Sequence, residues 1–338
     1  MKNHSVCPHI DQQRIDQFSE LVKTLPITRP LNFYSFPGKG GVEIIAKDDY
    51  PPLRAPWTVD FFFLAGIHNY GYWYGEEKYE GPLFGTINGK KVKGSDLLYK
   101  LFLRAFQSDP AGMRIDQLAT INCEHWESIM KDDNGIVPLL ANEERLLLTR
   151  RYAQRFFLKD AQRFISPAFI MRIAHCSNRP AKILLNMLTD RAWGVPGYCE
   201  DPLQKKALLL MMSLANRPEQ FLVPEATFVW DPIVDYHLMR LALRLGLVTL
   251  PAEWINENTE RKFTSPERER AVRKAVFRVV RSVIKKSGRS MAEIDNLMWS
   301  ARRFCPEVEK PNCTACMLQS VCAQKTDLFQ PVIRTTAY

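Results

Sequence analysis

The sequence lacks any apolar run long enough to cross a membrane. Its longest, such as Phe61-Phe62-Phe63-Leu64-Ala65-Gly66-Ile67, stop far short of the roughly 20 residues a spanning helix needs. Nor does the stretch Met1-Lys2-Asn3-His4-Ser5-Val6-Cys7-Pro8 carry the apolar segment of a secretory signal, so the expected location is the cytoplasm. In that reducing setting the eight cysteines point to metal binding or chemistry before disulfides. Internal repeats, long linkers and low-complexity tracts are missing too. With 46% hydrophobic and 25% charged residues, the composition is that of a packed chain and excludes wholesale disorder. Its 338 residues suit two domains, or one with a large extension. Acidic residues are in deficit, leaving a net charge of +9. Residues 259–338 hold 16 Lys/Arg against 8 Asp/Glu, so nearly the whole excess falls in the last quarter. That balance calls for an anionic partner, of which nucleic acid is the commonest; a solvated basic helix is the plainer alternative.

Strand signals are thin. Gly41–Ala46 is one candidate, and the stretch from Tyr79 to Val92 around Asn88-Gly89 suggests a small hairpin. Helical periodicity dominates from about residue 94. Gly94-Ser95-Asp96 reads as an N-terminal cap, followed by Leu97, Leu98, Leu101, Phe102 and Ala105 at helical spacing. Helices are expected over Thr149–Phe164, Pro180–Asp190, Lys205–Leu214 and Tyr236–Leu245, the last closed by Gly246. Ser265-Pro266 opens another, with Val272, Val276, Val279 and Val283 on one face and Arg270, Lys274, Arg278, Arg281 and Lys285 opposite. The expected architecture is mainly α. Its parts are an aromatic-rich helical domain over 1–150, a helical domain over 151–300, and a cysteine-rich tail over 301–338.

The strongest local signal is Cys305-x7-Cys313-x2-Cys316-x5-Cys322, four thiols within 18 residues. Cys-x2-Cys places two ligands on one tight turn, and the flanking cysteines complete a four-thiolate cage for zinc or a 4Fe–4S iron–sulfur cluster. Spacing alone leaves both open. The pattern resembles the cluster loop of the endonuclease III-like, helix-hairpin-helix DNA glycosylases, which read Cys-x6-Cys-x2-Cys-x5-Cys; this chain has one residue more in the first gap. That resemblance implies the 4Fe–4S cluster and makes Arg302, Arg303 and Lys310 candidates to meet DNA phosphates. Cys7, Cys123, Cys176 and Cys199 are scattered and are taken as inert.

Upstream, Val234-Asp235-Tyr236-His237-Leu238-Met239-Arg240 is similar to the family segment Val-Asp-x-His-x-x-Arg, in which the Asp begins a helix and is the catalytic carboxylate. Cleaving an N-glycosidic bond builds oxocarbenium character on the sugar, which a fixed carboxylate stabilises. Asp235 is the candidate, with an ordinary helix cap as the competing reading. The family's Leu-Pro-Gly-x-Gly hairpin resembles Val195-Pro196-Gly197-Tyr198 here, with Cys199 at the second glycine. Lys205, in Lys205-Lys206-Ala207, is the candidate for the family's lysine: a Schiff-base nucleophile, a phosphate contact or a solvated charge.

The first half resembles a second family, the queuosine-5′-phosphate N-glycosylase/hydrolases, which salvage a bulky 7-deazaguanine base and have a glycosylase-like helical fold. The match runs through Asp60-Phe61-Phe62-Phe63, Asn69-Tyr70-Gly71-Tyr72-Trp73, Gly94-Ser95, Pro138-Leu139-Leu140 and Glu143-Glu144-Arg145, and more weakly through Lys205-Lys206-Ala207 and Asp235-Tyr236, so it spans most of the chain, with Ser213 where that family carries Asp. Asn69 offers an amide that can read a base edge, and Tyr70, Tyr72 and Trp73 offer faces to sandwich an extruded base; burial in the core is the alternative. His237 is expected to orient its helix near the substrate. His68, His125 and His175 have no partner at metal or triad spacing.

Together these features predict a helical DNA-glycosylase-like fold with a small hairpin and a C-terminal iron–sulfur loop. The function they predict is a monomeric DNA N-glycosylase, a hydrolase that flips out and removes a modified, bulky base. Such bases occur in hypermodified phage DNA, which would make defence its role. The alternatives are a nucleotide N-glycosidase of the queuosine-5′-phosphate type acting on a small nucleotide, and a catalytically silent nucleic-acid-binding iron–sulfur protein.

Overall fold

The computed structural model describes residues 7–26 and 50–338, so the strand expected at Gly41–Ala46 lies outside the described residues. The fold is mainly α-helical, with only small two-stranded β-ladders. In chain order the helices are α1 (Gln12–Thr24), α2 (Thr58–Ile67), α3 (Gly94–Ser108), α4 (Ile115–Leu118), α5 (Cys123–Met130), α6 (Asn142–Gln154) and α7 (Pro167–His175). They continue with α8 (Pro180–Thr189), α9 (Lys205–Asn216), α10 (Tyr236–Leu245), α11 (Ala252–Thr259), α12 (Pro266–Ser287) and α13 (Met291–Ala301). None of the described helices is long and apolar enough to cross a membrane.

The described residues divide into two compact units. One comprises residues 7–26, 74–81 and 230–334 and holds α1 and α10–α13 together with the cysteine loop. Here α12 starts at Ser265, whose hydroxyl accepts the Arg268 amide, with Pro266 at its first position. Val272, Val276, Val279 and Val283 are buried against α1 and α10, while Arg270, Lys274, Arg278, Arg281 and Lys285 are all exposed. α10 begins at the predicted residue and stops at Gly246. That residue has φ +78° and would bring a Cβ to 2.8 Å from the Ala323 Cβ, so both conformation and space require glycine.

The other unit comprises residues 50–73, 82–229 and 335–338, with α2–α9. At its centre is α2, apolar on all sides except at Asp60 and packed by α3, α7 and α9. The expected hairpin forms at Phe84–Ile87 and Lys90–Lys93, its turn made by Asn88 and Gly89, both left-handed. The helix expected over Thr149–Phe164 instead begins at Asn142 and ends at Gln154. A short hairpin pairs Phe157 with Phe164 and Leu158 with Arg163. The contact between the Phe157 and Phe164 rings, tilted at 55° with centroids 5.0 Å apart, and a left-handed Gln162 whose amide returns to the Lys159 carbonyl favour a tight turn over continued helix.

Candidate functional site

The four clustered cysteines line one cavity of about 390 Å³, part of it open to solvent, with Leu241, Arg244 and Leu245 of α10. None of them is in a disulfide. The Arg244 guanidinium donates to Cys305 Sγ at 3.2 Å and to the Pro306 carbonyl at 2.8 Å, and the Gln324 amide donates to Cys322 Sγ at 3.3 Å. Burial raises the Cys316 and Cys322 thiols above the ordinary range, and the neighbouring cysteines push the same way. N–H donors are thus aimed at two of the four sulfurs, the kind of contact that supports a thiolate. Among the described residues no three His, Cys, Asp or Glu side chains are grouped to hold a metal ion.

Asp235 caps the other end of α10. Its Oδ1 accepts the Leu238 amide at 3.0 Å; its second oxygen makes no hydrogen bond or ion pair among the described residues. The cap fixes the carboxylate's direction while leaving one oxygen for another task. Two residues on, His237 Nδ1 accepts from Arg240 at 2.9 Å. Because a guanidinium only donates, Nδ1 carries no proton in that bond. Arg240 also donates to Gln330 Oε1 at 2.7 Å, and Tyr79 donates to Glu307 Oε2 at 2.5 Å. Burial, then the Glu307 charge, raise the Tyr79 phenol far above its ordinary value, so it stays a donor. Glu307 Oε1 lies 3.6 Å from His237 Nδ1 and 3.9 Å from Arg240. This network ties α10 to the cysteine loop.

Arg244 and Glu307 were not singled out from the sequence. The available signal was the spacing of His237, Arg240 and Arg244, which puts three polar residues on one face of a helix with otherwise apolar neighbours. Of the residues proposed to meet phosphate, Arg303 and Lys310 are exposed, whereas Arg302 lies over the Trp299 ring at 3.4 Å from its centroid.

The second unit gathers the other candidates into a buried polar group. Lys205, at the start of α9 and 4% exposed, donates through Nζ to Asn69 Oδ1 at 2.6 Å and to the Asn69 carbonyl at 3.2 Å. Its own amide is held by Asp201 Oδ2 at 2.8 Å. Asn69 Nδ2 donates to the Tyr99 hydroxyl at 3.4 Å, so both ends of the amide are engaged. The Lys206 amine donates to the Ile67 and Thr336 carbonyls, each at 2.6 Å. Burial, then the adjacent Lys205 charge, lower it well below the ordinary lysine range.

Tyr70, Tyr72 and Trp73 are buried. The Tyr70 ring has the Arg145 guanidinium 4.1 Å and the Lys206 amine 4.6 Å from its centroid, and the Tyr72 hydroxyl donates to the His68 carbonyl at 3.4 Å. Arg145, fully buried, clamps the carbonyls of His68, Tyr70 and Leu140. The aromatic faces and amide are thus assembled around two lysines and an arginine as part of a packed core.

The hairpin resemblance at Val195–Tyr198 takes a specific form. Gly197 has φ +92° and packs against Ile67, 2.5 Å from where a Cβ would stand. Its amide donates to Glu200 Oε2 at 2.8 Å, while the Tyr198 and Cys199 amides return to the Val195 carbonyl. The turn's N–H groups are therefore satisfied within the chain. No protein-family model matches the sequence, and no curated protein matches it.

Proposed function

We propose that the chain is an N-glycosidase that removes a modified base from DNA, with Cys305, Cys313, Cys316 and Cys322 holding a 4Fe–4S cluster. The observation that carries this reading is the single helix α10, which presents Asp235 at one end and meets the four-thiol cavity at the other. When bound, the cluster supplies a structural crosslink closing the loop 305–322. Asp235 does the chemistry: its capped carboxylate stands at fixed direction beside the sugar, stabilises developing positive charge, and aligns the attacking water through its second oxygen. Lys205 serves as a buried anchor for Asn69 and not as the nucleophile, because its amine is held by both Asn69 oxygens.

The test is incubation of the purified protein with ordinary DNA, hypermodified phage DNA and queuosine monophosphate, with released bases read by mass spectrometry. The expected result is release from modified DNA, abolished by Asp235→Asn and retained by Lys205→Ala, on protein that is brown and carries iron. Release from the mononucleotide alone would move the assignment to the nucleotide hydrolase, which the buried Asn69–Lys205 group favours. Colourless protein with one equivalent of zinc would overturn the cluster.

A further inference from the structure

Trp193 is the most exposed large hydrophobic residue among those described, at 73%. It stands on the loop between α8 and the Val195–Tyr198 turn, and that loop is held firmly. Asp190 Oδ1 accepts the amides of both Ala192 and Trp193 at 2.8 Å. The Gly194 amide returns to the Asp190 carbonyl at 2.8 Å, and the Val195 amide to the Leu188 carbonyl at 3.0 Å. Arg155 Nε donates to the Trp193 carbonyl at 2.9 Å. A Cβ on Gly194 would stand 2.3 Å from the Asp190 carbonyl oxygen, so the chain passes there only as glycine. The fixed backbone thus presents the indole to solvent, where its flat face is open to a ligand.

The charge of the chain segment that carries it indicates what the ring meets. Residues 151–194 carry eight Lys/Arg against two Asp/Glu, a second basic stretch beside the one in the last quarter of the chain. All eight, Arg151, Arg155, Lys159, Arg163, Arg172, Arg179, Lys182 and Arg191, are exposed. Among the described residues only Arg151 has a carboxylate within ion-pair range, Glu200 at 4.0 Å. Two of these cations stand at the indole's own loop: Arg155 bonds the Trp193 carbonyl and Arg191 stands two residues before it. An exposed aromatic on a fixed loop with cations beside it is the combination with which proteins hold unpaired nucleic acid: cations track the phosphates and the flat ring stacks on a base.

We infer that Trp193 is a stacking platform for an unpaired nucleobase, with Arg191 of the same loop and Arg155 bonded to it on the flanking phosphates. The inference rests on nucleic acid being the substrate and adds where an opened strand is gripped. Base–aromatic stacking makes the affinity insensitive to sequence and to salt at this one contact, whereas the cations make it salt-dependent.

The experiment measures binding of the full-length protein to a fluorescent oligo-dT single strand by anisotropy across a salt series. Trp193→Ala is expected to weaken binding about tenfold with an unchanged salt slope, and Trp193→Phe to keep most of the affinity. Arg191→Ala is expected to lower the slope by about 0.7. An exposed ring can be removed without unfolding the protein, and an unchanged circular dichroism spectrum and melting temperature check this. Unaltered affinity in Trp193→Ala overturns the inference and leaves the indole to a protein partner. Because oligo-dT contains only thymine and none of the modified base the proposed activity removes, the outcome is independent of the glycosidase reading. Stacking without base release on any substrate would defeat that reading alone, and base release with a normal Trp193→Ala would defeat this one alone.

Discussion

Asp60 is a carboxyl placed where charge is costly. It interrupts the otherwise apolar surface of α2, its Oδ1 is buried without a hydrogen-bond partner, and burial raises its pKa from 3.8 to about 6. The buried Tyr152 hydroxyl, whose own pKa is raised well above the ordinary value by burial and then by Tyr198 and Asp60, likewise has no partner. A carboxyl raised in the fold binds a proton that the unfolded chain has already lost. Stability is therefore full below about pH 4 as far as this group is concerned, and falls as pH rises to about 6, by about 2–3 kcal/mol in all. Urea unfolding at pH 4.5 and pH 7 should show this fall, and Asp60→Asn should remove it. An equal fall in the variant would place the titration elsewhere.

The helix α10 shows how much of the site could be read in advance. Its limits, its Asp235 cap and its Gly246 stop are written in adjacent residues, because capping and left-handed termination are local physics. The valine stripe of α12 was legible for the same reason, and so was the cysteine spacing. Periodicity could not show that Arg244 turns its guanidinium onto Cys305 and Pro306, or that Glu307 gathers Tyr79, His237 and Arg240, since those pairings join residues tens to hundreds of positions apart. The hairpin around Phe157 escaped notice because its turn carries no Gly or Pro, and Tyr70 read equally well as a base platform or as core. Arg244 makes the element testable. Arg244→Met keeps the stem and loses every donor, leaving the Leu328 and Pro306 carbonyls and Cys305 Sγ without their partner. It should cost about 3 kcal/mol or more in urea unfolding and lower the iron retained per protein, whereas exposed Arg303→Met should change neither. Normal iron content in Arg244→Met would show that the donor does not support the thiol cavity.

At the scale of the whole molecule the question is what an excess of nine positive charges is for. Charge spread evenly would mainly serve solubility, but on α12 it is sorted: the valines face inward, and Arg270, Lys274, Arg278, Arg281 and Lys285 all face water. Of these five, Arg281 has Asp231 at 3.6 Å, a contact too exposed to neutralise it fully. A helix that needed only solubility could alternate signs along its face and gain side-chain pairs; this one forgoes them over most of its length. If the face meets phosphates, each contact releases counterions, and the logarithm of the duplex affinity falls with that of salt by about 0.9 per contact. The variant Arg270→Ala with Lys274→Ala and Arg278→Ala should therefore lower the slope by about 3 and weaken binding to all duplex sequences alike, while melting within a few degrees of the parent because every changed side chain is exposed. A slope unchanged by the triple substitution would make this face a solvated one and assign the salt dependence to other cations of the chain.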